Sequence, residues 1–284
     1  MRSTELVIHS VLAVAIVLTF YPFIFMVITS LKSNDQFSHH FWSVALPAHW
    51  ENYGKAWGGI SMYIVNSVKV SVISVAGVLL VSCMSAYAFA RHRFPGDNLL
   101  FYSIISLMMV PGVLTLISSF MWMKEFPFVG GNNWVGEGGS GFLNSHVALI
   151  FPYIAGGQVF AILILRSFIG GLPEDIFEAA RLDGANEMTI LMRVVVPLSK
   201  PILSAIAVMN LLSVWNDYVW PLIIISDDAK RTLPIGLAFF QGVHGTTYGP
   251  LMAGYTLASL PLLTLFFFAM RPFVSGLTSG AIKV

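Results

Sequence analysis

The stretch EAARLDGANEMTILMRVVVP, residues 178–197, is more densely charged than this 284-residue chain as a whole. The whole chain holds 15 Lys and Arg and 14 Asp and Glu, so that only 10% of its residues are charged. Seven of these lie close together, in and just before the quoted stretch: Glu174, Asp175, Glu178, Arg181, Asp183, Glu187 and Arg193. So local a concentration predicts that this segment meets water or a polar partner.

The composition is that of a membrane protein. Hydrophobic residues make up 56% of the chain, and the mean hydropathy is +0.78, both outside the range of soluble globular domains. The lone cysteine, Cys83, lies inside an apolar run, so we expect it to pack as a small hydrophobe. A net charge of +1 gives no reason to expect a nucleic-acid partner.

Six apolar stretches are long enough to cross a bilayer core of roughly 30 Å as helices of about 20 residues. They lie near residues 6–31, 62–90, 99–123, 147–169, 198–225 and 254–270. The first is longer than the roughly 7–15 apolar residues of a cleavable signal peptide, so we interpret it as a retained helix. The sequence therefore predicts an all-α membrane protein of six transmembrane helices in a single domain over residues 1–284.

The distribution of Lys and Arg predicts the orientation, because cytoplasmic loops carry an excess of these residues. With both termini in the cytoplasm, nine lie inside: Arg2, Arg91, Arg93, Arg166, Arg181, Arg193, Lys200, Arg271 and Lys283. Five lie outside: Lys32, Lys55, Lys124, Lys230 and Arg231. The chain is thus expected to be a multi-pass protein of the cell membrane, and its charged segment is expected to be cytoplasmic.

The charged segment has the signals of a short surface helix, a turn and a second helix. Pro173 suits a first helical position, and Glu174 and Asp175 suit the positive end of the helix dipole. Gly184 suits a helix end because glycine adopts the left-handed conformation without a Cβ penalty. An imperfect apolar face combines Ile176, Phe177, Ala180 and Leu182. An ordinary amphipathic loop on the headgroups would show the same pattern.

A longer pattern resembles a known family. Glu178-Ala179-Ala180, three residues, Gly184, nine residues and Val194-x-Val196-Pro197 is similar to the EAA motif (EAA-x3-G-x9-I-x-L-P) of membrane permeases of binding-protein-dependent ABC importers. Val replaces Ile and Leu at two positions. The flanking LPEDIFEAARLDGA, the WNDYVWPL of the fifth span and the C-terminal GLTSGAIKV resemble the sugar-importer branch, in particular the maltose-type second permease subunit.

The resemblance implies a type I ABC importer permease fold in which residues 172–197, between spans four and five, form a cytoplasmic coupling helix. This helix docks on an ATPase through Glu178, Ala179, Ala180, Asp183, Gly184 and Pro197. The implied partners are a homologous permease subunit in a hetero-oligomer, two ATPase subunits and an extracytoplasmic sugar-binding protein. No G-x4-G-K-[S/T] sequence occurs in the chain, so we expect ATP and Mg to be bound by the ATPase and no cofactor by this chain.

Ionisable groups at membrane depth are the candidates for a substrate pathway, since each costs about 2.5–3.5 kcal/mol on insertion scales. Asp217 and Lys69 are predicted to lie inside the fifth and second spans. Polar and aromatic residues that suit a sugar surround Asp217: Trp215, Asn216 and Tyr218. By resemblance, the glycine-rich loop 227–250 faces the sugar-binding protein. Snorkelling of Lys69 to the interface is the alternative for that residue.

Other functions have weaker support. A stand-alone secondary transporter or channel, not coupled to an ATPase, is the main alternative, but the internal repeat usual in such proteins is not found. The run GEGGSG, residues 136–141, matches both a dinucleotide loop and a serine-protease pattern around Ser140, but we interpret it as a flexible glycine loop. His39, His40 and His49 lack the accompanying ligands of a metal site, so no metal is expected.

The topology is testable with single cysteines in a Cys83→Ala background. Cysteines at Ser140 and Thr246 are expected to react with an impermeant thiol reagent in intact cells, because both lie in predicted outer loops. A cysteine at Asn186 is expected to react only after the membrane is opened. Labelling of the Asn186 position from outside would overturn the orientation.

Overall fold

The computed structural model describes residues 2–44, 46–245 and 247–281, without the side chains of residues 2–4, 266 and 268–281. Thr246 and Lys283, used in the topology argument, lie outside the described residues. Within the described ranges all regular structure is helical. The helices are α1 (Arg2–Ser30), α2 (Asn34–His39), α3 (Glu51–Arg91), α4 (Asp97–Ser106), α5 (Gly112–Lys124), α6 (Val147–Gly170), α7 (Glu174–Leu182), α8 (Glu187–Ile190), α9 (Val196–Leu198), α10 (Lys200–Asn216), α11 (Val219–Ile224), α12 (Leu233–His244) and α13 (Tyr248–Ala281).

Three helices, α1, α3 and α6, are each long and apolar enough to cross a membrane. Two further pairs of consecutive helices are long and apolar enough when taken together, although each pair is bent at a short break: α4 with α5, and the Glu187–Leu198 helix with α10. The described residues thus contain three to five candidate spans. The predicted sixth span, near residues 254–270, falls within α13, whose side chains are described only in part. Six spans therefore stay a prediction.

The third predicted span is broken near its middle. A short 3-10 turn, Leu107–Met109, follows α4, Val110 is extended, and α5 begins after Pro111 at an angle of 106°. Proline lacks the backbone N–H of a helix interior and drives the preceding residue out of the helical region. The predicted span over residues 99–123 therefore consists of two helices that are bent at Pro111.

The described chain forms two compact units. The first contains the residues up to Val65 together with Leu233–Thr264. Within it α12 packs closely, because the ring of Tyr63 fills the space where a side chain at Gly236 would lie. The glycine-rich loop expected over residues 227–250 therefore contains a helix with a buried face, including Leu233, Ile235 and Phe240.

The second unit contains Asn66–Thr232 and the chain from Leu265. Its centre is a close meeting of α3, α6 and α10: a Cβ at Gly157 would lie 2.3 Å from the side-chain oxygen of Asn210 and 2.8 Å from Val78. A large cluster of apolar residues, with Phe177 and Leu165 fully buried, joins these helices to α7 and α8. This packing carries the charged segment on the ends of α3 and α6.

The glycine loop between α5 and α6 is folded, so the expectation of a flexible loop was wrong. Asn132 is buried; its side-chain nitrogen donates to the carbonyls of Lys124 and Phe126, and its side-chain oxygen accepts from the N–H of Gly139. A Cβ at Gly139 would lie only 2.2 Å from the carbonyl oxygen of Gly130. The glycines of this loop therefore serve close backbone packing.

Candidate functional site

The charged segment folds as two short helices joined by a tight turn. Pro173 is the extended residue before α7 rather than its first helical residue, and the helix ends at Leu182. Gly184 has φ 80°, which confirms the predicted left-handed conformation. Its N–H donates to the carbonyl of Arg181, and the N–H of Ala185 donates to the carbonyl of Ala180, both at 3.0 Å. This pair of bonds is a Schellman motif, which fixes the turn.

The second helix leads into a bend before α10. The side chain of Asn186 caps α8 by accepting from the N–H of Thr189 at 2.8 Å. A π-helical stretch, Leu191–Val195, follows, and then the short helix α9, which contains Pro197. The helix axis turns by 79° between Glu187–Leu198 and α10. Pro197 is exposed close to this bend.

Phe177 holds α7 against the rest of the second unit. Its side chain is fully buried in a cluster that includes Tyr87 of α3, Ile169 of α6 and Ile190 of α8. The predicted apolar face of α7 is only partly correct. Ala180 packs on the same cluster, but Leu182 is 89% exposed, because it lies on the opposite side of the helix.

Arg91, at the end of α3, joins three elements at once. One guanidinium nitrogen donates to the Glu174 carboxylate at 2.6 Å, and another donates to the carbonyls of Ile169 and Leu172 at 2.6 Å each. The guanidinium also lies 3.9 Å above the centre of the Phe177 ring. Its side chain is only 8% exposed. Arg91 therefore ties the end of α3 to the end of α6 and to the start of α7.

Glu187 extends this network to α8. The hydroxyl of Tyr87 donates to its carboxylate at 2.5 Å, and Arg181 and His92 lie 3.4 Å from it. The hydrogen bond from Tyr87 holds the pKa of the Glu187 carboxyl below its ordinary value. Arg181 also lies 3.4 Å from Glu174, so one arginine bridges the two helices of the segment.

The seven charges thus divide into two groups. Glu174, Arg181 and Glu187 form the internal network. The other four have no ion pair among the residues that the structure describes: Asp175, Glu178, Asp183 and Arg193. Residues Asp175, Glu178, Ala179 and Leu182 recur at helical spacing on the side of α7 away from Phe177, and all are exposed. We call these four residues, with the adjoining Asp183, the outward face.

The sequence reasoning found the motif but missed the residues that mount it. From the sequence, Arg91 indicated only the orientation of the chain in the membrane, and nothing in the sequence pointed to Tyr87. The sequence pattern placed Phe177 on an apolar face but did not indicate that it is the side chain of α7 that becomes fully buried. An arginine at the end of a span carries no local signal of which carbonyls its side chain will reach.

The candidate pathway residues gather at a break in the fifth predicted span. Helix α10 ends at Asn216, Asp217 is extended (φ −69°, ψ 122°), and α11 follows. The Asp217 carboxylate accepts from the N–H of Val219 at 3.1 Å and from the hydroxyl of Tyr153 on α6 at 2.8 Å. The predicted span over residues 198–225 is therefore interrupted at Asp217 rather than helical throughout, and the depth of Asp217 in the membrane stays a prediction.

The neighbours of Asp217 differ in exposure. Trp215 is buried, Tyr218 is 41% exposed, and the exposed Asn216 donates to the carbonyl of Leu212. Trp220, also buried, donates its indole N–H to the carbonyl of Ala148 at 3.1 Å, which ties α11 to α6. Asp217 and Trp220 thus hold the broken segment in place, while Asn216 and Tyr218 offer polar groups outward.

Lys69 lies apart from this group. It is exposed on α3 and has no ion pair in the described part of the chain. It precedes Arg91 by 22 residues in the same helix, or about 33 Å at 1.5 Å per residue. This length matches a bilayer core of roughly 30 Å. If Arg91 lies at one membrane face, as the topology prediction has it, this length places Lys69 near the other face, which is the geometry that the snorkelling alternative needs.

The chain was compared with known proteins. The family model described as "Binding-protein-dependent transport system inner membrane component" matches residues 78–278. A probable ABC transporter permease of Bacillus subtilis, YurM, is 30% identical over 93% of this chain and 83% of its own length. The trehalose/maltose transport permease MalG of Thermococcus litoralis is 30% identical over 94% and 92%. The diacetylchitobiose uptake permease NgcG of Streptomyces coelicolor is 30% identical over 97% and 88%.

A solved structure has a similar fold. A chain of a bacterial ABC transporter that imports the acidic polysaccharide alginate superposes with a TM-score of 0.77, at 22% identity, covering 96% of this chain and 97% of the other. At this identity the likeness concerns the fold alone.

The role of Arg91 is testable by Arg91→Lys, which keeps the charge but not the planar fork of donors. Loss of one charge-assisted hydrogen bond of about 1.5–3 kcal/mol is expected to raise local opening of the charged segment roughly ten- to a hundredfold. The measurement is the rate of trypsin cleavage after Arg181 in the purified protein. Arg93→Lys is the matched control, because the side chain of Arg93 is 83% exposed and its one ion pair, with Asp97, is long at 3.4 Å. Equal cleavage rates in the two variants would contradict the role assigned to Arg91.

Proposed function

The chain belongs to the family of binding-protein-dependent transport system inner membrane components, and from this premise we propose that it is the membrane-spanning subunit of an ATP-driven importer for a di- or oligosaccharide. The relatives are transporter permeases, which are not enzymes. The sugar class is supported by the relatives named for trehalose and maltose and for diacetylchitobiose. The observation that carries the mechanism is the outward face of α7, together with the buried contacts of Phe177 and Arg91 that hold α7 on the ends of α3 and α6. We call these contacts the mount.

The chemistry of the outward face suits a soluble partner with a basic, partly apolar cleft. Leu182 is 89% exposed beside a second exposed apolar residue, Ala179. Glu178, Asp175 and Asp183 place three carboxylates around them, and none of the three forms an ion pair with a described residue. Exposed apolar residues with an acidic rim are typical of a docking surface. In the proposal α7 is the coupling helix, and Glu178 pairs with a basic residue of the ATPase.

In the proposal, the force from closure of the ATPase subunits reaches the membrane through the buried contacts of α7. A load on α7 passes through Phe177 and Arg91 to the ends of α3 and α6, which are both candidate spans. The Schellman turn at Gly184 passes the same load to α8 and the bend before α10. Closure of the ATPase subunits would therefore move these helices together, as one packed body.

The proposal includes the assembly and the topology. Six spans place both termini in the cytoplasm of a cell-membrane protein. A homologous permease subunit completes the pathway in a hetero-oligomer, two ATPase subunits bind ATP and Mg, and an extracytoplasmic binding protein delivers the sugar. The Lys and Arg distribution supports the orientation.

The break at Asp217 is the proposed pathway element of this chain. Unwound backbone at membrane depth is tolerated where it is buried in protein or lines a polar cavity. Here Asp217 caps α11 and bonds to Tyr153, while the exposed Asn216 and Tyr218 offer groups that suit sugar hydroxyls. Trp215 supports them from a buried position. Lys69 has the weaker claim, because its position on α3 favours the headgroup region.

A stand-alone secondary transporter or channel is the alternative function. It would need no outward face on α7 and no ATPase. Uptake in vesicles that depends on internal ATP and on added binding protein supports the importer; uptake driven by an ion gradient alone supports the alternative.

The docking role is tested with variants of the outward face and the turn. Glu178→Lys keeps α7 but brings like charge to the basic partner, so the ATPase is expected to be lost on purification. Gly184→Val costs about 1–2 kcal/mol at a left-handed position, and no neighbouring atom lies within 4 Å of the added Cβ. Gly184→Asn, which tolerates that conformation, should retain coupling. The measurements are co-purified ATPase and ATP-dependent uptake.

The control for the charge reversal is Glu137→Lys in the outer loop, which should change neither measurement. Insertion and retention of the partner permease are expected in every variant, because the spans depend on their own apolarity. A normal amount of ATPase and normal uptake with both Glu178→Lys and Gly184→Val would remove the main support for the coupling role.

The pathway role is tested with Asp217→Asn and Asp217→Ala. The side-chain oxygen of asparagine can still accept from the N–H of Val219, and its side-chain nitrogen can donate to the hydroxyl oxygen of Tyr153. Assembly should therefore be normal, while uptake and its dependence on sugar concentration change. Alanine removes the cap and is expected to cost about 1 kcal/mol, lowering the yield of assembled complex as well. Unchanged uptake in Asp217→Asn would make Asp217 a structural residue only.

A further inference from the structure

An aromatic cluster surrounds the end of α1 in the first unit. After α2 the chain brings the ring of Trp42 to 5.9 Å from Phe25 and 6.3 Å from Tyr21, both residues of α1. The centre of the Phe41 ring lies 5.2 Å from the centre of the Phe25 ring and 4.9 Å from that of Phe37. The segment that follows the first candidate span therefore folds back along that span.

The depth of this contact follows from helix geometry. Tyr21 precedes Ser30, the last residue of α1, by nine residues, or about 13 Å of helix axis. Trp42 thus lies beside the helix at a level below its end. Trp42 is nevertheless 73% exposed, Val44 71% and Phe41 37%, so the described residues leave the aromatic surface uncovered.

The backbone of the segment is prepared for an apolar environment. Lys32 has its side chain buried, and its ammonium donates to the carbonyls of His40 at 2.7 Å and Phe41 at 2.9 Å. These carbonyls follow the end of α2, where no helical N–H can reach them. An irregular segment can lie near lipid only where such groups are satisfied.

The polar and apolar side chains of the segment lie on different sides. Exposed polar residues occupy one side of α2: Asn34, Asp35, Ser38 and His39. On the other side, the Phe37 ring stacks on Tyr248 at 4.1 Å, and Phe41 and Trp42 continue the aromatic surface. A boundary between water and hydrocarbon requires this division, and aromatic rings are enriched at such boundaries.

We propose that residues 37–44 form an interfacial wedge, which inserts Phe41 and Trp42 into the bilayer leaflet that contains the Ser30 end of α1. The occupant of the exposed surface is lipid. The adjoining α1 supports this choice, because an 18-residue apolar window within Glu5–Ser30 has no residue buried by the described chain, although Thr29 and Ser30 at the helix end are buried, and the wedge continues that apolar surface. The inference requires only that the chain lies in a membrane, and it is independent of the transported sugar.

The test uses the full transporter, reconstituted in phosphatidylethanolamine and phosphatidylglycerol vesicles, with Cys83→Ala throughout. A nitroxide label is placed at Trp42→Cys, and at Ser38→Cys on the polar side of α2 as the matched control. Collision with dissolved oxygen should exceed collision with a water-soluble nickel chelate at position 42. At position 38, collision with the nickel chelate should exceed collision with oxygen.

A further Lys32→Met substitution should expose the label at position 42 to the chelate, since the carbonyls of His40 and Phe41 then lose their donor and need water. The intact side chain is tested by lipids brominated near the headgroup. They should quench tryptophan fluorescence in the otherwise unlabelled protein, and Trp42→Phe should lose part of that quenching.

Three results would overturn the wedge. Preferential collision with the nickel chelate at position 42 would place the segment in water. Low collision with both reagents would mean that a protein subunit covers it. Equal quenching by brominated lipids with and without Trp42 would show that the native side chain does not reach the acyl chains. None of these results would bear on coupling to an ATPase.

Discussion

The placement of the charged segment depends on one buried side chain, Arg91. The Arg91 side chain is 8% exposed, and buried donors need acceptors. Its two terminal nitrogens donate to the carboxylate of Glu174 and the carbonyls of Ile169 and Leu172, whereas its Nε has no hydrogen-bond partner among the described residues. These acceptors belong to the start of α7 and the end of α6. Satisfying Arg91 therefore requires α3, α6 and α7 to meet at one point. Phe177 lies fully buried under the guanidinium at the same point.

This arrangement explains why an apolar chain concentrates charge in one segment. Some of the charge is structural: Glu174, Arg181 and Glu187 join the two short helices to each other and to α3. The remainder faces outward. The proposed docking role needs both groups, because a surface that transmits force must be held rigidly on the rest of the protein. Internal pairing provides the rigidity, and the unpaired carboxylates remain available to a partner.

Breaks in helices follow the same rule of satisfied polar groups. At Asp217 the carboxylate replaces missing helix acceptors for the N–H of Val219 and receives the hydroxyl of Tyr153. At His40 and Phe41 the ammonium of Lys32 provides the donors. In both places an ionisable residue of an apolar chain pairs with backbone rather than with an opposite charge. Ionisable residues at such places are thus first explained by the backbone they satisfy, and a functional role is additional.

The sequence by itself determined the membrane class, the approximate apolar stretches, the family motif and the left-handed glycine at residue 184. Each of these rests on local composition or on a short pattern, such as the turn that only glycine adopts easily. Only the tertiary structure decided which charges of the segment are paired, that Leu182 faces outward, and that Pro111 and Asp217 interrupt their helices. It also showed that the glycine loop around Asn132 is folded. These features depend on which groups from distant parts of the chain meet, since Arg91 lies 83 positions before Glu174, and no local pattern encodes that meeting.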